Sequence, residues 1–311
     1  MLLSFPGMCK ISPNHTKSFQ LGKEITMKTT RCLFTQLFFV LSLLLLFSYS
    51  VQAETTECTV ISSLPYVIST QGIYCLKGNL ATGMTSGNAI EINNNNVVID
   101  LNGYKLGGQG AGKGTNAYGI YAYQKQNITL RNGTVRGFYK GIYLGDTGGY
   151  ATSQAHLVED IRVDVNTYIG IEVRGRGNII RKNQVVDTGG RSPAADAFGI
   201  VIYGPGNRVI NNDVYETVAG GSYDALGIYF LTADGGIVEN NRVGNTANPS
   251  SWTSYGIYIN SSNDALITNN RITTMDYGIY YYTGSSGKYR DNLTTGCTEP
   301  FTGGLDAGGN N

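Results

Sequence analysis

From residue 88 onward, short strings alternate between apolar and polar positions, and the alternation restarts with a recurring Gly-Ile pair. The copies are GIYAY (119–123), GIYLG (141–145), GIEVR (170–174), GIVIY (199–203), GIYFL (227–231), GIYIN (256–260) and GIYYY (278–282), with an earlier AIEIN at 89–93. Their starts lie 30, 22, 29, 29, 28, 29 and 22 residues apart. Period-two alternation predicts strands, and it places Ile120, Ile142, Ile171, Ile200, Ile228, Ile257 and Ile279 on one face. The residues two further on (Ala122, Leu144, Val173, Ile202, Phe230, Ile259, Tyr281) share that face. No stretch carries the helical period of a crossover helix.

A second mark keeps step with the first. Asn183, Asn212, Asn241, Asn270 and Asn292 are separated by 29, 29, 29 and 22 residues, each between two further short strands. Three strands and three turns per period cannot bury an apolar face alone, whereas stacked coils can. The pattern therefore predicts an all-β chain, a single right-handed parallel β-helix of about eight coils with three short sheets. The recurring Asn is expected to take the left-handed backbone of a sharp turn and to stack amide on amide from coil to coil. A rung nearer the end, such as Asn292, is expected to matter less than Asn241.

The solenoid does not account for the first 53 residues. Lys28 and Arg31 precede the apolar run Phe38–Phe47, and Val51-Gln52-Ala53 follows it, the order of a cleavable secretory signal. The run is too short to span a bilayer. The expected organisation is an over-extended gene start (1–26), a signal peptide (27–53), an N-terminal cap with the first coil (54–87), the β-helix (88–296) and a C-terminal tail (297–311). The expected address is periplasmic or extracellular.

Beyond residue 53 the chain carries 18 Lys/Arg against 21 Asp/Glu. That balance offers no basic stripe for nucleic acid. Charged residues are 14% of the chain, while Gly (42) and Tyr (22) are abundant, so the surface is turn-rich and uncharged-polar. An exported chain forms disulfides. Cys58–Cys75 is the economical pairing, and the sequence leaves open a bond from Cys297 to either. One histidine, His156, remains after residue 53, so no metal site of His and Cys is expected. His156 aligns with Ile179 in the next coil, which predicts a surface position.

The outward positions of the Gly-Ile strands carry the candidate chemistry. One column holds Tyr121, Tyr143, Glu172, Val201, Tyr229, Tyr258 and Tyr280. The next holds Tyr123, Arg174 and Tyr203. Aromatic faces beside scattered polar groups suit sugars, and polysaccharide is the expected partner. The same column is also good structural material, because Tyr stacks on itself between coils. Asp196 and Asp224 each stand three residues before an in-register glycine, so they should lie one coil apart. Two close carboxylates raise one pKa and suit acid–base work, or they hold a calcium ion; as turn residues they need do neither.

The chain resembles the pectate-lyase-like right-handed β-helix superfamily over roughly residues 58–300. LPYVISTQGIYCLKGNL (64–80) and NNNVVIDLNGYKLGG (94–108) are similar to the first coils of bacterial right-handed β-helix repeat proteins. The resemblance implies that the Asn column turns between the second and third sheets and that the Gly-Ile strands form the first. It also implies that segments 187–198, 216–226 and 245–255 wall a substrate cleft. Pectate lyases carry an Arg-x-Pro-x-x-Arg signature; RSPAAD (191–196) matches it in Arg191 and Pro193, with Asp196 at the second arginine. The Asp-His, Gly-His-Gly and Asp-Pro-His-Asp elements of pectate lyases, polygalacturonases and alginate epimerases are absent. The resemblance thus favours a secreted polysaccharide-binding β-helix, with lyase or hydrolase activity on Asp196, Asp224 and Arg191 if it is an enzyme. The alternative is a noncatalytic adhesion or structural module.

Overall fold

The computed structural model describes residues 57–246 and 253–311; the expected gene start and signal segment lie outside them. The described chain winds as a parallel β-solenoid. The Gly-Ile strings form a ten-stranded sheet running from Tyr66–Ile68 to Glu299–Thr302. Its register is the one the alternation predicts: Ile142 pairs with Ile120 and Ile171, and Ile228 with Ile200 and Ile257. These isoleucines are completely buried, and the residues two further on form a second buried stack.

The other two faces are joined in part of the solenoid. Strands Ile128–Arg136 and Leu157–Asp164 run round the corner between them without a break. In later coils the corner separates Ile179–Arg181 from Gln184–Gly189, and Arg208–Ile210 from Asp213–Val218. Val163, Val185, Val214, Val243 and Ile272 stack inside the third face, all almost fully buried. Residues 299–311, within the expected tail, contribute strands Glu299–Thr302 and Leu305–Asp306, both paired to the preceding coil. Cys58 and Cys75 are disulfide-bonded, and Cys297 is free.

The Gly column has a steric cause. A Cβ on Gly199 would lie 2.5 Å from the Gly227 carbonyl oxygen, and one on Gly227 would lie 2.7 Å from that of Gly256. The same atom would strike buried Val214 or Val243, so the glycine faces inward beside the isoleucine that follows it. Two successive inward positions break the alternation and turn the residue before each glycine outward.

The Asn column is a buried ladder at the corner between the second and third faces. Asn241 Oδ1 accepts from the backbone N–H of Asn212 at 2.9 Å and from its Nδ2 at 3.0 Å. Asn241 Nδ2 donates to Val209 O and to Asn270 Oδ1. The pattern runs from Ile161, whose N–H donates to Asn183 Oδ1, to Asn310, which accepts from Asn292. Asn292 is therefore an interior rung with no exposure, and Asn310 is the last. The left-handed residue is not the ladder Asn but its predecessor: Lys182, Asn211, Asn240, Asn269 and Asp291 all have φ between +54° and +58°. The ladder side chain can point inward because the residue before it has absorbed the turn.

His156 is a further correction. It is 2% exposed and belongs to a second corner column, where it stands over Asn178 and not over Ile179. Its N–H donates to Asn178 Oδ1, whose own N–H donates to Asn207 Oδ1. His156 Nδ1 accepts from Ile128 N–H at 3.2 Å, so the ring takes the place of a ladder carboxamide. Ser153 Oγ lies 2.8 Å from Nε2. Burial pushes the imidazole down to about 4, against the opposing charge of Asp146.

Candidate functional site

The outward face of the Gly-Ile sheet bears a continuous belt of aromatic rings. Tyr121 stacks on Tyr143 at 5.3 Å, Phe198 on Tyr229 at 5.8 Å, and Tyr229 on Tyr258 at 5.2 Å. Tyr280 closes edge-on against Tyr258. Parallel strands hold ring on ring because their register repeats every coil.

A third column widens the belt. The residues just before the glycines pair in register as Tyr118, Lys140, Ile169, Phe198, Leu226, Tyr255 and Tyr277. Strict alternation assigns them inward, but the paired Gly-Ile turns them out. Tyr118 meets Tyr121, Tyr255 stacks on Tyr258 at 4.7 Å, and Tyr277 meets Tyr280. Tyr139 and Tyr168 stack with their rings nearly parallel at 4.9 Å where their strands begin. An aromatic recurring before Gly at 118, 198, 255 and 277 is the sequence signal for this column.

An ion cluster interrupts the rings at mid-belt. Glu172 is 1% exposed; its two oxygens take Lys140 Nζ at 2.5 Å and Arg174 Nε at 2.6 Å. Lys140 Nζ lies 4.8 Å above the Tyr143 ring, and the Arg174 guanidinium lies 4.3 Å from the Tyr203 ring. Burial lowers the Lys140 pKa against the pull of Glu172. The cluster places two cations on one carboxylate, leaving a net positive patch. Burial raises phenols along the belt, Tyr168 and Tyr203 beside the cluster and Tyr255 further on, to about 12. They remain neutral hydroxyls, able to donate and accept.

Asp196 and Asp224 do come together. Asp224 N–H donates to Asp196 Oδ1 at 3.0 Å; Thr253 hydrogen-bonds the Asp224 carboxylate, whose Oδ1 is a buried oxygen without a hydrogen-bond partner among the described residues. Burial, then the Asp196 charge, raises the Asp224 carboxyl. The pair borders the belt, since Asp196 acts on Tyr168 and Asp224 on Tyr255 electrostatically. Arg191 is elsewhere. Its guanidinium lies 4.2 Å from the Tyr139 ring and donates to Thr115 O and Asn116 Oδ1. It pins segment 187–198 to an earlier coil, and no hydrogen bond or ion pair joins it to either aspartate among the described residues. Of the other expected wall segments, 216–226 is described, while 247–252 lie outside the described residues. Among the described residues no group of three or more His, Cys, Asp or Glu comes together to hold a metal. No helix there is long and apolar enough to cross a membrane.

Several solved structures superpose on this chain. The Dettilon tailspike protein superposes with a TM-score of 0.55 at 14% identity, over 82% of this chain and 59% of that one. The enzymatically active domain of bacteriophage CBA120 tailspike protein 2 gives 0.54 at 16% identity, over 80% and 39%. Pectate lyase Pel9A gives 0.46 at 15% identity, over 76% and 70%. The chain thus spans less than two thirds of either tailspike chain, and at these identities the fold is what is shared. No curated protein matches the chain in sequence. Residues 118–311 match the family model of the right-handed β-helix region, and the chain belongs to that family.

Proposed function

We propose that the protein binds polysaccharide outside the cytoplasm, along the outer face of the Gly-Ile sheet and the loops beside it. The observation that carries this reading is the aromatic belt, which runs from Tyr121 to Tyr280 by way of Tyr118, Tyr139, Tyr168 and Phe198, with the Lys140–Glu172–Arg174 cluster set among its rings. Ring faces offer flat apolar area to sugar C–H faces, while neutral phenols and the two cations offer hydrogen bonds to hydroxyl or acidic substituents. The Cys58–Cys75 disulfide supports an oxidising compartment, as does the apolar segment expected to direct export.

Depolymerisation is the finer reading, and it rests on Asp196 and Asp224. A raised Asp224 carboxyl beside a second carboxylate has the form of an acid–base pair. Arg191 stands on Tyr139, Thr115 and Asn116 and holds the loop that carries Asp196, so its support for that step is positional. Glycan-array binding of the mature chain and of Tyr229→Ala and Tyr258→Ala tests the binding reading. Loss of array signal in both variants is expected, and unchanged signal would overturn the placement. Product release from a panel of uronate and neutral glycans tests catalysis. Ultraviolet-absorbing ends mark a lyase and new reducing ends alone mark a hydrolase. Binding without either product marks a noncatalytic module.

A further inference from the structure

The third face carries a second, separate concavity. A cleft of about 420 Å³ lies over strands Gln184–Gly189, Asp213–Val218, Arg242–Gly244 and Arg271–Thr273. Two outward columns shape it. In one, Val186, Tyr215, Gly244 and Thr273 follow each other in register. At Gly244 the Thr273 hydroxyl takes the place of a side chain, so a buried glycine lies between Tyr215 and Thr273, and both of these line the cleft. The Tyr215 ring, 37% exposed, borders the cleft.

The other column runs Gln184, Asp213, Arg242 and Arg271. Adjacent parallel strands set the two arginine backbones ~4.8 Å apart. Arg242 reaches Asp213 only loosely, at 3.5 Å, with 74% of its side chain exposed. Arg271 has no carboxylate partner among the described residues; its contacts are two long bonds of 3.4 Å to Asn269 Oδ1 and Asn270 O. One aspartate, bound to Arg242 alone, therefore stands against two guanidiniums, and most of their donors are uncommitted among the described residues. Two like charges one coil apart repel each other, and an anion between them relieves the repulsion and takes charge-assisted hydrogen bonds.

We propose that this cleft is a second saccharide site, selective for a sugar bearing a carboxylate or sulfate. The anionic group sits on the Arg242–Arg271 pair and the ring lies on Tyr215. The site is independent of the Gly-Ile face, on a different side of the solenoid, so a chain could be held at two places at once.

Titration calorimetry with two size-matched probes tests it: a hyaluronan hexasaccharide, which carries glucuronate, and a neutral chitin hexasaccharide. The first face is weakened by Tyr229→Ala/Tyr258→Ala; its Lys140–Arg174 patch remains, so the advantage that counts is the part lost with the third-face arginines. In that background the anionic hexamer should bind at least tenfold more tightly than the neutral one, and the advantage should shrink with added salt. Arg242→Ala/Arg271→Ala should remove most of the advantage, and Tyr215→Ala should weaken both sugars severalfold. These side chains are exposed, so the variants should keep the parent's thermal midpoint. The same arginine substitutions in the otherwise unaltered chain give a second reading, independent of the tyrosine background. Equal affinity for the two hexamers, or anionic binding unchanged by the double arginine variant, would overturn the proposal. Failure of the first-face reading shows separately, as neutral-glycan binding that survives Tyr229→Ala/Tyr258→Ala.

Discussion

Asn241→Ala removes one carboxamide from the middle of the buried corner column. The substitution strands the Asn212 backbone N–H, which donates to Asn241 Oδ1 at 2.9 Å. Asn212 Nδ2 is less affected, because Ile180 O and Ile210 O still accept from it. The Val209 carbonyl loses its donor, a lesser loss for a group with a second lone pair. Asn270 Oδ1 keeps the Asn241 backbone N–H at 2.9 Å. A stranded buried donor costs about 1–3 kcal/mol, and the carbonyl brings the expected loss to about 2–3 kcal/mol. Asn292→Ala should cost as much, since it is equally buried and makes the same set of bonds. Asn310→Ala opens a partly exposed rung that water can serve, and should cost less than about 1 kcal/mol. Urea unfolding of the three variants, followed by two probes to detect partial unfolding of coils, measures the series. An Asn241→Ala midpoint equal to the parent's, or an Asn310→Ala loss as large as that of Asn241→Ala, would refute the ladder argument.

Gly227→Ala should destabilise by about 1–3 kcal/mol through overpacking, since its Cβ would lie 2.3 Å from Val243 Cγ1 and 2.7 Å from Gly256 O; thermal unfolding reads it, and a neutral outcome would dissolve the steric account of the column. His156 is neutral in the folded chain down to about 4 and in the unfolded chain down to 6.5. Its contribution is thus complete above pH 6.5 and lost as pH falls from there towards 4, about 3 kcal/mol in all at 1.36 kcal/mol per pKa unit. His156→Asn keeps an acceptor for Ile128 N–H and should flatten the slope of the urea midpoint between pH 4 and 7; an unchanged slope would assign it to other groups. If the protein depolymerises glycan, Asp224→Asn should lower kcat at least a hundredfold with binding largely kept, and Asp196→Asn should resemble it; full turnover in both would remove the pair from the reaction.

The repeat was legible because two periods coincide: alternation within each strand and recurrence every 22 or 29 residues. Both follow from burying one face of each strand against the same residue type in the next coil. The belt's first two columns followed from the same alternation. Its third column did not, because Gly and Ile both face inward and a glycine leaves no side chain to betray the slip. The turn residue was misplaced by one for a related reason. Asn serves both as a left-handed residue and as a ladder rung, and in N-N pairs such as 211–212, 240–241 and 269–270 the sequence does not say which does which. His156 was aligned one residue off because its chemistry differs from the carboxamides it stands in for. The partnership of Arg191 with Tyr139 and residue 115 joins positions about 50 and 76 apart in the chain, a contact no local pattern encodes.

The Asn ladder also has a polarity. Every rung points its carbonyl towards the N-terminal end of the solenoid and its amide towards the C-terminal end, from Asn183 to Asn310. Six aligned side-chain dipoles reinforce one another in a dry corner, much as peptide dipoles do in a helix. The positive end emerges at Asn310, and there its Nδ2 donates to Asp306 Oδ1 at 2.5 Å. The last coil thus sets an acidic residue where a helix would place one at its own positive pole. Asp306→Asn would leave this column of dipoles without its counter-charge and should loosen the coil that Leu305–Asp306 pairs into.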